Sequence, residues 1–277
     1  MTLRLGAVSY LNTRPLTAAL EDDRESFELH FDVPSACAGD LRNQRVDLGL
    51  IPSIEYARNP DSYCIVPDVA IGCRGEVLTV RLFFRGAVED IGSIAVDRSS
   101  QTSLALLRIL MKERFGLEPT FEPAPPDLDQ MLHSADAALL IGDPVLPLVD
   151  PTLTADAQSD VGDRQSLDLG SEWVEFSGHP FVFAFWAGKA GVVSPAQVEK
   201  LICARRHGET QVPQIASAFQ RERAGSVELY ERYLRSHISF DFGDAEIAGL
   251  REFYRLAHQH GLIDSEPALR FFERGNS

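Results

Sequence analysis

The chain has 277 residues, of which 44% are hydrophobic and 24% charged, with a formal net charge of −15. This length exceeds a usual single-core domain and the composition is that of a globular protein, so two lobes are expected and disorder is not. The negative charge disfavours nucleic acid and anionic membrane surfaces as partners, whereas a small anion answers to the local field inside a cleft.

The N-terminal residues lack the basic, apolar and small-residue zones of a signal peptide, and no apolar run is long enough to cross a membrane. Cytoplasmic residence is therefore expected. Cys37, Cys64, Cys73 and Cys203 show no metal-like spacing and are read as free thiols.

In chain order, Leu3 to Val8 reads as a short buried strand. Ser9-Tyr10-Leu11-Asn12 carries the chain from it into a helix over about 13–20, with Pro15 tolerated in the first turn. A strand at about 28–32 and a helix opened by Pro34 and Ser35 follow. Asp47 then precedes the buried strand Leu48 to Ile51, which Pro52-Ser53 ends. Strand–helix–strand is the rhythm of a parallel sheet covered by helices. After a strand-like stretch from Glu76 to Phe84 the rhythm restarts. A strand is expected from Ile91 to Val96, a helix from Thr102 to Phe115, a short helix from Asp127 to His133 and a strand from Ala137 to Ile141. The two halves echo each other, each placing an aspartate (Asp47, Asp136) before a buried strand and a polar residue beyond its end.

Residues 150–164 are polar without a clear period and read as a surface connection. The apolar run Phe181 to Trp186 suits a strand returning to the first lobe. Helices complete the chain: one capped by Ser194 with Val198, Leu201 and Ile202 on its apolar stripe, one holding Leu229, Tyr233 and Leu234, and one from near Asp244 to Gly261.

Ligands of open α/β sheets meet the loops at the carboxyl ends of the strands. Four segments qualify: Ser9 to Arg14, Ser53 to Tyr56, Arg98 to Ser103, and Gly142-Asp143. Ser9, Tyr10, Asn12 and Thr13 place hydroxyls and an amide at a helix start, where they can hold a carboxylate; capping alone is the alternative for Ser9 and Asn12. Ser100, Thr102 and Ser103 crowd hydroxyls at another helix start, more than one cap requires. Glu55 stands just past a strand end. Phosphate-loop, dinucleotide-loop, nucleophile-elbow and His-Glu-x-x-His metal patterns are absent, and the histidines are dispersed.

The run Ser9-Tyr10-Leu11-Asn12-Thr13-Arg14-Pro15-Leu16 resembles the opening motif of the menaquinone-pathway chorismate dehydratases, the MqnA family of the futalosine route. The resemblance continues through Asp47 to Tyr56, Ser100 to Ser103, Leu140 to Asp143, Leu167 to Trp173, Gly178 to Trp186 and Gly249-Leu250-Arg251. It implies the α/β, two-lobed periplasmic-binding-protein-like fold of type II, with parallel-rich sheets covered by helices and two interlobe crossings. The first lobe is then expected over 1–88, the second over 89–185, and completion of the first, with the C-terminal helices, over 186–277. The crossings fall near 76–90 and 178–190.

The reaction implied is loss of water from chorismate to give 3-[(1-carboxyvinyl)oxy]benzoate, with no cofactor and no metal. The resemblance makes Asn12 the catalytic asparagine and puts Thr79 where family members tend to carry a catalytic serine. Ser9, Tyr10, Thr13, Arg14, Ser53, Glu55, Ser100, Thr102, Ser103 and Asp143 are the expected substrate-binding residues. Amides are poor bases, so the proton acceptor is left open between a protein group and the substrate's own side-chain carboxylate. Expected partners are chorismate and its dehydration product, with a transient contact to the next pathway enzyme left open. Two alternatives stand beside this reading. One is the related 1,4-dihydroxy-6-naphthoate synthase, which opens on a different Ser-Pro-Cys-Pro-Asn-Asp-like segment; the other is a noncatalytic small-anion-binding protein.

Overall fold

The strands in chain order are β1 (Leu3–Val8), β2 (Phe27–Asp32), β3 (Leu48–Pro52), β4 (Cys64–Cys73), β5 (Val80–Arg85), β6 (Ser93–Asp97), β7 (Thr120–Ala124), β8 (Ala137–Ile141), β9 (Arg164–Asp168) and β10 (Phe181–Gly188). They belong to a computed structural model that describes residues 2–97, 101–149 and 164–275.

The strands make two sheets of one plan. The first has the order β2-β1-β3-β10-β4 and the second β7-β6-β8-β5-β9. In each, three parallel strands are followed by one antiparallel strand supplied from the other half of the chain: β10 beside β3, and β5 beside β8. β3 and β8 are buried at every position, as strands covered on both faces by helices must be. The echoed aspartates do the same work in both sheets. Asp47 accepts the amide of Arg4 at the start of β1 (2.9 Å), and Asp136 accepts those of Gly92 and Ser93 at the start of β6 (3.1 and 2.8 Å). Each carboxylate ties the head of its sheet's central strand to the neighbouring strand.

Sheet membership moves the expected lobe boundaries. β5 already belongs to the second sheet, so the first lobe yields the chain before Val80 rather than at residue 88. β10 pairs wholly within the first sheet, so the return is complete by Phe181 rather than at residue 186.

Several elements differ from the sequence reading, β7 and the helices Ser53–Arg58 and Val212–Glu222 among them. β4 is an unforeseen ten-residue strand carrying Pro67 and Asp68 at φ +62°. The missing amide and positive φ are tolerated because β4 lies at a sheet edge and its register with β10 is irregular. Arg164, at the end of the expected surface connection, begins β9, while residues 150–163 lie outside the described residues. Leu169–Ser177 is a helix, capped by Asp168 and ended by Gly178 at φ +73°.

Candidate active site

A cleft opens between the sheets, bounded by the ends of β1, β3 and β8 and by the two antiparallel strands. Most of its wall is apolar, from residues such as Val8, Leu50, Ile71, Val80, Phe183 and Ile238. A smaller set of polar groups breaks that surface.

The first polar set follows β1. Tyr10 is extended (φ −87°, ψ 158°), then Leu11–Thr13 form a tight turn in which the Thr13 amide returns to Tyr10 O at 3.1 Å. Pro15 lies in the first turn of the helix Arg14–Asp22, where a missing amide costs nothing. This geometry turns Tyr10, Asn12 and Thr13 to the cleft. Thr13 is fully buried, and its Oγ1 has no hydrogen-bond partner among the described residues. A buried hydroxyl on a cleft wall is free to bond a water or a ligand there.

The second set faces it from the start of the helix Gln101–Glu113: Gln101, Thr102 and Ser103. Thr102 also joins the lobes by accepting the Ile54 amide at 3.3 Å. Gly142 closes this side at φ +71°, and a Cβ there would lie 2.7 Å from the Tyr10 ring. Only glycine allows both the backbone conformation and the contact.

The third set lies on the crossing. The Thr79 hydroxyl sits 2.9 Å from the Tyr233 phenol oxygen, with the Asn12 side chain near that phenol. Tyr233 begins a π-helical turn, Tyr233–His237, beyond the helix Val227–Arg232; such turns recur at functional sites. Burial pushes the Tyr233 phenol well above its ordinary range, against its hydrogen bond with Thr79.

Of the expected site residues, Tyr10, Asn12, Thr13, Thr79, Thr102 and Ser103 line this one cleft. Several others do not. Ser9 is exposed, with Oγ 3.5 Å from Asp32 O. Arg14 turns outward to Glu222 at 3.7 Å. Ser53 is buried and spends its hydroxyl on Val182 O at 2.8 Å. Glu55 is buried in an ion pair with Arg42 and accepts Asn59 Nδ2 at 3.0 Å. Asp143 stands behind the wall, accepting the Leu11 amide, and burial lifts its carboxyl to about 6 despite Arg223 and Arg14. Ser100 lies outside the described residues.

The sequence reading missed Gln101 and Tyr233. Gln101 stood inside the polar run already singled out; Tyr233 was absorbed into the apolar stripe of its helix, and nothing local marked its hydroxyl. Burial pushes the Cys37 and Cys73 thiols up to about 12, leaving them unreactive. Among the described residues no group of three or more His, Cys, Asp or Glu side chains is placed to hold a metal ion.

The profile of a family described as menaquinone biosynthesis matches residues 3–259. The chain belongs to this family. A relative within reach of direct alignment is the chorismate dehydratase of Thermus thermophilus, 32% identical over 257 residues, covering 90% of this chain and 93% of that protein. The chorismate dehydratase of Campylobacter jejuni is 29% identical over 187 residues, covering 65% of this chain and 64% of its own. Among solved structures, protein AF1704 from Archaeoglobus fulgidus aligns with a TM-score of 0.72 at 18% identity, covering 95% of this chain and 98% of that one. The periplasmic aliphatic sulphonate binding protein SsuA from Escherichia coli aligns at 0.69 and 15% identity, covering 100% and 93%.

At such identities the structural likeness speaks for the fold, and it establishes the two-lobed periplasmic-binding-protein architecture for this member of the menaquinone-biosynthesis family. It also corrects the expectation of cytoplasmic residence. The fold's neighbours include a periplasmic sulphonate-binding protein and the ligand-binding component of an ABC-type import system from Staphylococcus aureus, so the look of the N-terminal residues assigns no compartment. No helix among the described residues is long and apolar enough to cross a membrane.

Proposed function

We infer that this chain is a chorismate dehydratase of menaquinone biosynthesis, a carbon–oxygen lyase that removes water from chorismate to give 3-[(1-carboxyvinyl)oxy]benzoate. The observation that carries the reading is the family match over residues 3–259 together with full-length similarity to the Thermus enzyme. The cleft agrees with the chemistry. It offers apolar walls for a ring that becomes aromatic, and two facing sets of neutral donors for a substrate with two carboxylates.

In the elimination, the proton on the ether-bearing ring carbon departs with the neighbouring hydroxyl, and aromatisation drives the step without net oxidation. We assign Thr13, Thr102 and Ser103 to the carboxylates, and Asn12 and Thr79 to the departing hydroxyl. Donors fixed before the bond breaks, in a cleft that sheds water, stabilise the developing charge without reorganising. No carboxylate, imidazole, amine or thiol lines the cleft among the described residues. The substrate's own enolpyruvyl carboxylate is therefore the proton acceptor in this reading, held by the protein where it reaches the ring hydrogen.

Mass spectrometry of purified protein with chorismate tests the reading. Stoichiometric loss of one water per chorismate is expected. Intact chorismate after prolonged incubation, with the ligand merely retained, would return the chain to the small-anion-binding proteins whose fold it shares.

A further inference from the structure

Asp168 lies in the motif Leu167 to Trp173, which lines no part of the cleft, yet its side chain is buried, with 7% of the residue exposed. Its carboxylate accepts four backbone amides. Gly170 N (3.0 Å) and Ser171 N (3.1 Å) belong to the helix it caps. Val77 N (2.9 Å) and Leu78 N (2.8 Å) belong to the crossing that leads into β5, and no helix cap requires them.

Those two amides sit in an unusual turn. Thr79 N donates to Val77 O at 2.9 Å, and Leu78 between them has φ +70°. An i→i+2 bond around a positive φ is the rare, strained form of γ-turn, and leucine is a poor residue for it. Such a conformation persists only where its surroundings hold it. Here they do so on every side. Asp168 takes the amides of Val77 and Leu78, Arg81 Nε donates to Leu78 O at 3.1 Å, and Gly142 N donates to Thr79 O at 2.8 Å. The capped helix is pressed against the crossing: a Cβ on Gly170 would lie 2.5 Å from Gly75 O and 3.0 Å from Val77 N.

We propose that Asp168 is a positioning residue for the dehydration: its carboxylate clamps the strained Val77–Leu78–Thr79 turn, and the clamp aims the Thr79 hydroxyl at the substrate. The proposal rests on the reading that Thr79 acts on the departing hydroxyl. Were Leu78 to relax to negative φ, the following peptide plane and the Thr79 Cα–Cβ bond would turn with it. A hydrogen bond that weakens steeply below ~120° does not survive such a rotation.

Two variants separate the clamp from the cap. Asp168→Asn keeps one acceptor oxygen and turns an NH2 toward a backbone N–H. Asp168→Ser still caps the helix but is too short to hold both crossing amides. In steady-state chorismate dehydration, each is expected to lower kcat about tenfold or more with KM within about twofold of wild type. In a Thr79→Val background the same substitutions are expected to change kcat by less than about twofold, since the hydroxyl they aim is gone. A merely structural Asp168 lowers kcat by the same factor in both backgrounds, and that result overturns the clamp alone. Wild-type kcat in Thr79→Val removes Thr79 from the reaction and the clamp with it. Loss of the folded circular-dichroism spectrum in both Asp168 variants assigns the residue to the fold alone and overturns the proposal as well.

Discussion

Leu11 and Asp143, 132 positions apart in the chain, meet across the cleft, the Leu11 amide donating to Asp143 Oδ1 at 2.9 Å. One residue follows β1 in the first sheet; the other follows β8, the central strand of the second. The bond latches the lobes beside Asn12. Ile54 N to Thr102 Oγ1 at 3.3 Å and Arg58 to Gln101 at 2.9 Å tether them further along the same rim.

The latch carries a pH signature. Burial lifts the Asp143 carboxyl from 3.8 to about 6, with Arg223 and Arg14 pulling the other way. The folded protein therefore holds this proton more tightly than the unfolded chain. The stability it contributes is complete below about pH 4 and is lost as pH rises through about 6. A shift of this size corresponds to about 2–3 kcal/mol. Asp143→Asn fixes the neutral form, so urea unfolding at a series of pH values should show wild type losing about 2 kcal/mol relative to the variant between pH 4 and 7. A difference that does not change with pH sinks the idea.

Asn12 is expected to matter through chemistry rather than packing, because it is only partly buried and turns to the cleft. Asn12→Ala should lower kcat by about 10²-fold or more, roughly 3 kcal/mol of lost transition-state stabilisation. Asn12→Asp should fail as well, since it sets a negative charge beside an anionic substrate. Near-normal turnover in well-folded Asn12→Ala would take Asn12 out of the mechanism.

The strand–helix rhythm made the architecture legible because buried strands and amphipathic helices carry their own periodicities. β1, β3, β6 and β8 lie close to where apolar runs placed them. β4 was hidden by Pro67, and the helix Leu169–Ser177 by its mixture of Asp168, Gly170 and Glu172 with apolar residues. In the site, residue type and strand-end position identified the loops but not the direction of each side chain. Ser9, Ser53 and Glu55 share those loops with Asn12 and Thr102, yet Ser53 and Glu55 are committed to Val182 and Arg42. Tyr233 arrives from 154 residues beyond Thr79, a contact no local pattern reports.

Ser103 and Glu55 should part company in kinetics. Ser103 lines the cleft opposite Thr13, where a hydroxyl holding a carboxylate is used in both ground and transition states. Ser103→Ala is expected to raise KM about three- to tenfold with kcat nearly unchanged. Glu55→Gln should leave both constants alone while lowering stability by about 1–2 kcal/mol, because it weakens a charged hydrogen bond to Arg42. Initial rates and denaturant titrations on both variants decide this. A large kcat loss in Glu55→Gln would make Glu55 a candidate base.

Tyr233 supplies the last prediction. Its phenol hydrogen-bonds the Thr79 hydroxyl at 2.9 Å, and when the phenol accepts that bond the Thr79 proton is spent on it. The direction of the bond thus decides whether Thr79 presents a donor to the departing hydroxyl. Tyr233→Phe keeps the buried ring and deletes only this bond. We expect kcat to fall about tenfold with KM little changed, and stability to fall by about 1–2 kcal/mol as a buried polar partner loses its hydrogen bond. Burial pushes this phenol well above its ordinary range, so it stays protonated at any assay pH, and the kcat profile from pH 6 to 9 should have the same shape in both enzymes. A basic limb present in wild type and absent in Tyr233→Phe would mean that the phenol ionises during turnover and acts as an acid rather than as a fixed partner of Thr79.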